Sequence, residues 1–233
     1  MTQLRTMMAN ASAETTFDHA DTSGAILFAD MSGDTALIEI HGDHVAAHFA
    51  VMVNVALGPG DELIKTMGDA VMVASADAPA ALAFLHRLGV AAGLAMGFPM
   101  LCAGVSAGTV VRRRGDVYGT TVNAAARLAA LAAPGLIVIG RDVATAAADL
   151  GLPLAALGLV SVRNMANPME LFAVDIGGEH QQHFDPVCRL HVTAASATVT
   201  RSRDGRAYRL CSTDCADRFD TRAGSASESS VAQ

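Results

Sequence analysis

Acidic residues stand at two places where the hydrophobic pattern of the chain breaks, and acids in such places can bind divalent cations. The apolar run from Gly24 to Ala29 ends on Asp30, which indicates a buried strand with a carboxylate at its end. Two short apolar runs flank Gly68 and Asp69, which is typical of a β-hairpin. If the strands are adjacent, the two carboxylates meet and offer the oxygen ligands that Mg²⁺ prefers. The alternative is that Asp30 caps a helix and Asp69 shapes a turn.

A second polar group has helical spacing. Asn123 and Arg127 are four residues apart in the predicted helix 121–131, so their side chains project from one face. This pair can bind a ligand in common, or it can be a polar pair at the helix N-terminus with no ligand.

Three of the four cysteines cluster in the last fifth of the chain, as Cys188, Cys211 and Cys215. Cys102 lies within an apolar run and is interpreted as a small core residue. In a reducing compartment, clustered thiols favour a metal over a disulfide. A soft ion such as zinc or copper(I) would suit three thiolates. The fourth ligand would come from outside or from one of His183, His191 and Asp214.

Composition limits the classes of function. The chain has 233 residues, enough for one domain and a small appendage, and its net charge of −7 lacks the basic excess of a nucleic-acid binder. No apolar segment of signal-peptide length occurs in residues 1–23, which predicts a cytoplasmic protein. The uncharged stretch 89–111 is long enough to cross a membrane, but Pro99 and several glycines interrupt it. We interpret it as a helix end followed by a buried strand.

The elements that must position these residues alternate in type. Periodicity and turn signals predict the order β-α-α-β-β-α-β-α-β-α-β-β, which mixes hairpins with helical crossovers and indicates an α+β sheet covered by helices. The predicted strands and hairpin span 24–30, 62–73, 101–111, 136–139, 159–163 and 169–174, and the helices span 35–40, 44–57, 78–92, 121–131 and 144–150.

Three segments resemble the signature segments of class III adenylyl and guanylyl cyclases. They are Phe28-Ala-Asp-Met-Ser-Gly-Asp-Thr35, Ile64-Lys-Thr-Met-Gly-Asp69 and Gly115-Asp-Val-Tyr-Gly-Thr-Thr-Val-Asn-Ala-Ala-Ala-Arg127. The resemblance covers about residues 24–175. It implies a ferredoxin-like cyclase sheet covered by helices.

The resemblance also implies a role for each matching residue. Asp30 and Asp69 would hold two Mg²⁺ or Mn²⁺ ions per active site, where a ribose 3′-hydroxyl attacks the α-phosphate. Asn123 would orient the ribose, and Arg127 would stabilise the transition state, in which charge builds on phosphoryl oxygens. No side chain stands out as a general base.

The same resemblance assigns the residues that bind substrate. Lys65 and Asp116 would read the purine, and a lysine donor with a carboxylate acceptor matches adenine but not guanine. Thr35, in a loop that enters a helix, and Arg163 would bind phosphates. For Lys65 and Arg163, the alternative is an ordinary surface residue.

These roles imply an adenylate cyclase that converts ATP to 3′,5′-cyclic AMP and pyrophosphate. In the family, the metal-binding aspartates of one chain face the purine and transition-state residues of the other, so a head-to-tail homodimer is expected. The alternative is a catalytically weak or inactive cyclase-like module that senses nucleotide or metal. It is favoured by Asp34, which stands where the family commonly has an aromatic residue.

The C-terminal cysteines lie in a second resemblance. Asp185-Pro-Val-Cys188 and Tyr208-Arg-Leu-Cys-Ser-Thr-Asp-Cys-Ala-Asp-Arg-Phe219 resemble the YHS domain, a small β-β-α module related to treble clefs. The alternative is that this fold packs its cysteines without metal. We therefore predict a flexible leader (1–22), a cyclase domain (23–176), a linker (177–183), a YHS-like module (184–222) and a disordered tail (223–233).

Overall fold

The main sheet contains strands joined by hairpin turns and strands joined by helical crossovers. The structure is a computed structural model, which describes residues 20–32, 44–95, 98–163, 165, 167–175, 184–190, 192 and 196–228. Within these ranges the strands of the main sheet are β1 (Ala20–Met31), β2 (Glu62–Met67), β3 (Ala70–Ser75), β4 (Leu101–Arg113), β5 (Asp116–Tyr118), β6 (Leu136–Gly140), β7 (Leu154–Val160) and β8 (Met169–Asp175). Their order is β2-β3-β1-β4-β6-β8-β7, with β5 paired to β4.

Helices cover both faces of this sheet. They are α1 (His44–Ala56), α2 (Ala78–Leu94), α3 (Thr120–Leu131) and α4 (Arg141–Asp149). Alternation along β1 directs Leu27 and Ala29 into the core shared with α1, α2 and α4. Ile26 and Phe28 point the other way, into a cluster that includes Ala125 of α3. Asp30 continues this second series, so its side chain lies on the face that carries α3.

A glycine allows α3 to lie directly on the sheet. A Cβ atom at Gly104 of β4 would come within 2.0 Å of the backbone nitrogen of Ala129 and 2.5 Å of the carbonyl oxygen of Ala125. Only a residue without a side chain permits this approach. The position of α3, and of every side chain it carries, therefore depends on Gly104.

The C-terminal part forms a separate hairpin and helix: β9 (Val199–Arg203), β10 (Arg206–Leu210) and α5 (Thr213–Glu228). It packs against the start of β4. Leu190 forms an antiparallel bridge with Pro99, and the amide of Met100 donates to the carbonyl oxygen of Arg189 at 3.0 Å. Val187, Cys188 and other buried residues of this part join the same core as the main sheet.

The sequence predicted the order of these elements well, with four differences. β1 begins at Ala20, inside the predicted flexible leader, and not at Gly24, because residues 20–23 pair with β4. The short strand β5 was missed. β7 lies at Leu154–Val160 and not at 159–163, because it pairs with β8. Finally, α5 continues through residues 223–228, which were expected to be disordered.

Two predicted segments, the helix 35–40 and the linker 177–183, lie outside the described residues. The stretch 89–111 divides as expected, into the end of α2 and strand β4. In the described part of the chain, no helix is both long and apolar enough to cross a membrane.

Candidate active site

The two aspartates predicted to bind metal lie in adjacent strands at one end of the sheet. Asp30, near the end of β1, pairs with Ala70 of β3, the residue that follows Asp69 in the β2–β3 turn. One carboxylate oxygen of Asp30, Oδ1, is buried and makes no hydrogen bond among the described residues. Burying a carboxylate oxygen is costly unless something compensates its charge. The geometry therefore fits a cation bound between these acids.

Cys102 lies beside the two acids. It pairs with Asp30 across β1 and β4, and its Sγ lies 3.6 Å from the carbonyl oxygen of Asp30. Burial, together with the negative charges of Asp30 and Asp69, raises the pKa of the Cys102 thiol to about 11. Asp30 and Asp69 are therefore both close enough to Cys102 to act on its thiol.

Lys65 and Asp116 form an ion pair between β2 and β5. Lys65 Nζ lies 2.8 Å from Asp116 Oδ2, and the two side chains are 39% and 31% exposed. The hydrogen bond from Lys65 lowers the pKa of Asp116, and a second one from the amide of Val117 to Oδ1, at 2.8 Å, lowers it further. The two residues predicted to read the purine thus lie side by side, although 51 positions separate them.

Helix α3 presents the predicted ribose and phosphate residues. Asn123 is exposed in its first turn, and Arg127 is half-buried one turn later, where its Nη1 donates to Met165 Sδ at 3.2 Å. The helix begins after Gly119, whose φ of 131° favours glycine. The Thr121 hydroxyl fixes this turn by donating to the carbonyl oxygen of Thr109 at 2.8 Å.

Two residues were predicted to bind phosphates, Thr35 and Arg163, and the described part of the chain shows no contact between either of them and the other site residues. Thr35 lies outside the described residues. Arg163 is exposed in the turn that follows β7. Sequence reasoning missed Ser32, two residues after Asp30, whose hydroxyl is buried and makes no hydrogen bond among the described residues. Its place in the Asp30-Met-Ser segment was the signal that could have identified it.

The three clustered cysteines come together as predicted, with an unexpected fourth member. Cys211 Sγ lies 3.4 Å from Cys188 Sγ and 3.6 Å from Cys215 Sγ. The buried carboxylate of Asp185 completes the group, and all four ligand atoms lie within 4.8 Å of one another. His183 and His191 lie outside the described residues, and Asp214 is exposed and does not belong to this group. The spacing Asp185-Pro-Val-Cys188 was the available signal.

The three cysteine thiols differ widely in pKa. The contact between Cys188 and Cys211 lowers the pKa of Cys211 to about 6 and raises that of Cys188. Burial raises the pKa of Cys215 to about 12. The thiolate form is therefore favoured most at Cys211.

Comparisons with known proteins agree with this geometry. A pH-sensitive adenylate cyclase of Mycobacterium tuberculosis is 32% identical over 160 residues, which are 65% of this chain and 40% of the relative. An adenylate cyclase of Streptomyces coelicolor is 35% identical over 120 residues, which are 49% of this chain and 32% of the relative. The chain thus spans less than half the length of these relatives. No family model matches it.

Solved structures share the fold. An adenylate/guanylate cyclase/hydrolase from Silicibacter pomeroyi superposes with a TM-score of 0.57 at 26% identity, over 68% of this chain and 99% of the other. An adenylate cyclase from Trypanosoma brucei, 19% identical, superposes with a TM-score of 0.62 over 68% of this chain and 90% of the other. Relatives and fold neighbours together support a class III adenylyl/guanylyl cyclase catalytic domain, with a mixed α+β sheet covered by helices.

Proposed function

We propose that this chain is an adenylate cyclase that converts ATP to 3′,5′-cyclic AMP and pyrophosphate. The observation that carries the proposal is the Lys65–Asp116 pair, placed on the same cyclase fold as the two acids Asp30 and Asp69. The curated relatives described as adenylate cyclases support the same reaction.

The pair accounts for the choice of base. A lysine ammonium only donates hydrogen bonds and a carboxylate only accepts them. Adenine presents an acceptor at N1 and a donor at its amino group, whereas guanine presents a donor at N1 and an acceptor at O6. With no base present, Lys65 and Asp116 neutralise each other at 2.8 Å and keep both groups oriented. When adenine binds, its N1 can accept from Lys65 and its amino group can donate to Asp116.

Asp30 and Asp69 are the residues that would hold two Mg²⁺ or Mn²⁺ ions. When bound, these metals would neutralise phosphate charge and acidify the ribose 3′-hydroxyl. The chain supplies the acids on a strand end and an adjoining turn, where backbone pairing fixes their separation. The buried Asp30 Oδ1 supports this assignment.

Asn123 and Arg127 act on the sugar and the reacting phosphate. Asn123 would accept or donate a hydrogen bond at the ribose, and Arg127 would bind the phosphoryl oxygens as charge develops on them. The Met165 contact holds the guanidinium in place before substrate binds. Thr35 and Arg163 are proposed to contact the triphosphate.

We further propose that two chains associate head to tail in the cytoplasm. Each site would combine Asp30 and Asp69 of one chain with Lys65, Asp116, Asn123 and Arg127 of the other. Residues 184–222 would form a YHS-like module, whose Cys188, Cys211 and Cys215 suit a soft metal such as zinc or copper(I).

The direct test is product formation. Purified protein is incubated with ATP or with GTP, each with Mn²⁺ or Mg²⁺, and the products are separated chromatographically. Cyclic AMP and pyrophosphate in equal amounts, with less cyclic GMP from GTP, are expected. Nucleotide binding without any cyclic product would favour the inactive sensing module instead.

A further inference from the structure

The cysteine group has the dimensions of a metal centre. In a tetrahedral zinc site the Zn–S bonds of about 2.3 Å place neighbouring sulfurs about 3.8 Å apart. The Cys211 sulfur lies 3.4 Å and 3.6 Å from its two neighbours. A disulfide would require about 2.05 Å. The thiols are therefore spaced around a common point with room for one ion after a small outward movement.

Asp185 makes this group unlike an ordinary cluster of buried cysteines. Its side chain is fully buried, and it accepts from the amides of Val187 at 2.7 Å, Cys188 at 3.3 Å and Cys211 at 2.8 Å. These bonds fix two ligand-bearing backbones around one carboxylate. Oδ1 accepts two of them and Oδ2 accepts one, so Oδ2 keeps a lone pair that can bind a cation. A carboxylate buried against three sulfurs is an arrangement that a cation stabilises.

The centre joins three separate pieces of a small module. Cys188 lies in the turn that follows Asp185, Cys211 follows β10, and Cys215 lies in the first turn of α5. Fewer than 50 residues build this module, and units of that size usually need a metal, a disulfide or packing against another domain for stability. Here part of the module packs into the core of the main sheet. None of the four cysteines of the chain forms a disulfide.

Two consecutive backbone hydrogen bonds connect the centre to the candidate active site. Arg189, next to Cys188, accepts from the amide of Met100 at 3.0 Å. The carbonyl oxygen of Met100 accepts in turn from the amide of Ser32 at 2.8 Å, two residues after Asp30. The segment 98–101 therefore lies between the cysteine turn and the acid-bearing end of β1.

We propose that Cys188, Cys211, Cys215 and Asp185 hold one zinc ion, and that zinc loading fixes the segment 98–101 and thereby the end of β1 that carries Asp30. Only the effect on catalysis rests on the proposed function; zinc binding and the order of the segment do not. Loss of the metal frees the 185–190 turn, weakens the Arg189–Met100 bond and loosens Ser32.

The first experiment measures zinc in the full chain purified under reducing conditions. About one zinc per chain is expected, together with thiolate-to-metal absorption after exchange for Co²⁺. Cys215→Ser should lose the ion, whereas Cys102→Ser should retain it. A metal-free protein that does not take up added Zn²⁺, or a mass that shows a disulfide among these cysteines, would overturn the proposal.

The second experiment measures amide hydrogen exchange at Met100 and Ser32 in zinc-loaded and chelator-stripped wild-type protein, so that it does not depend on a variant folding. Exchange at both amides should rise by at least about tenfold on stripping and return on reloading. The amide of Asn123, which donates to Gly119 within α3, should not change. Zinc binding with unchanged exchange at Met100 and Ser32 contradicts the coupling.

Cyclic AMP formation in the same samples separates the two proposals. Stripped protein should turn over several-fold more slowly in excess Mg²⁺. Zinc-dependent exchange in a protein that makes no cyclic product would refute the proposed function and leave the zinc site standing.

Discussion

At the residue scale, Asp30 and Asp69 are the acids on which catalysis should depend most. Asp30 is half-buried and Asp69 lies in a turn, so neither side chain fills a core position that its removal would empty. Loss of either one should therefore affect chemistry more than folding.

We predict that Asp30→Ala or Asp69→Ala lowers cyclic AMP formation by at least about 1,000-fold, since bound metals supply several kcal/mol and each 1.4 kcal/mol is a factor of ten. Rates are measured at saturating Mn²⁺. Circular dichroism and thermal melting serve as the folding control. Turnover near the wild-type rate in well-folded Asp69→Ala would rule out the two-metal assignment.

Lys65 and Asp116 should determine the preference for adenine. The double variant Lys65→Glu with Asp116→Cys reverses the donor and acceptor pattern, so the ratio of kcat/KM for ATP to that for GTP should fall by at least about tenfold. The single variants provide the comparison. An unchanged ratio would mean that these residues do not contact the base.

The same pair should give a pH-dependent contribution to stability. Because the pKa of Asp116 is lowered in the folded chain, the ion pair stabilises the fold above the ordinary aspartate pKa of about 4. That contribution is lost as the pH falls through the lower, folded value. The difference in urea midpoint between wild type and Asp116→Asn should therefore be largest near pH 7 and shrink toward pH 3. A difference that grows on acidification would contradict this linkage.

At the element scale, the position of α3 on β4 decides where Asn123 and Arg127 lie. The helix makes its closest approach at Gly104, where any Cβ atom would overlap the helix backbone. The packing of one element thus controls two residues of the candidate site.

We predict that Gly104→Ala destabilises the fold by about 3 kcal/mol or more and lowers activity, because α3 must move away from the sheet. Gly151→Ala is the control: its φ of +71° is strained, yet a Cβ there meets nothing within 4 Å. It should cost about 1 kcal/mol and leave activity unchanged. Equal denaturation midpoints for the two variants would show that the close approach is not required.

At the scale of the whole molecule, the proposed sites are shared between two chains, and complementation tests this. An inactive Asp30→Ala chain is mixed with an inactive Arg127→Ala chain. In the heterodimer one site collects both lesions and the other has neither, so activity should return to roughly a quarter of wild type if the chains exchange at random. No recovery in heterodimers shown to form by cross-linking would mean that each site lies within one chain.

The sequence by itself predicted most of the order of the elements and the local positions of four candidate site residues, Asp30, Asp69, Asn123 and Arg127. Acids at a strand end and at a hairpin turn, and an asparagine and arginine one helical turn apart, are local patterns, and local geometry fixes them. The apolar periodicity of 78–92 and 101–111 likewise indicated a helix and a strand without any tertiary contact.

Residue types and spacing did not show which distant residues meet. For Lys65 and Asp116 only the family resemblance implied a common contact, and the tertiary structure shows it. The Lys65–Asp116 pair depends on strands that lie far apart in the chain, and the place of Asp185 among the cysteines depends on the docking of β10 and α5 against the 185–190 turn. The same holds for β7, whose uniform apolar residues gave no period to fix its limits and which is defined by pairing with β8. Long-range pairing follows from the packing of the whole sheet, so residue types and spacing alone could not reveal it.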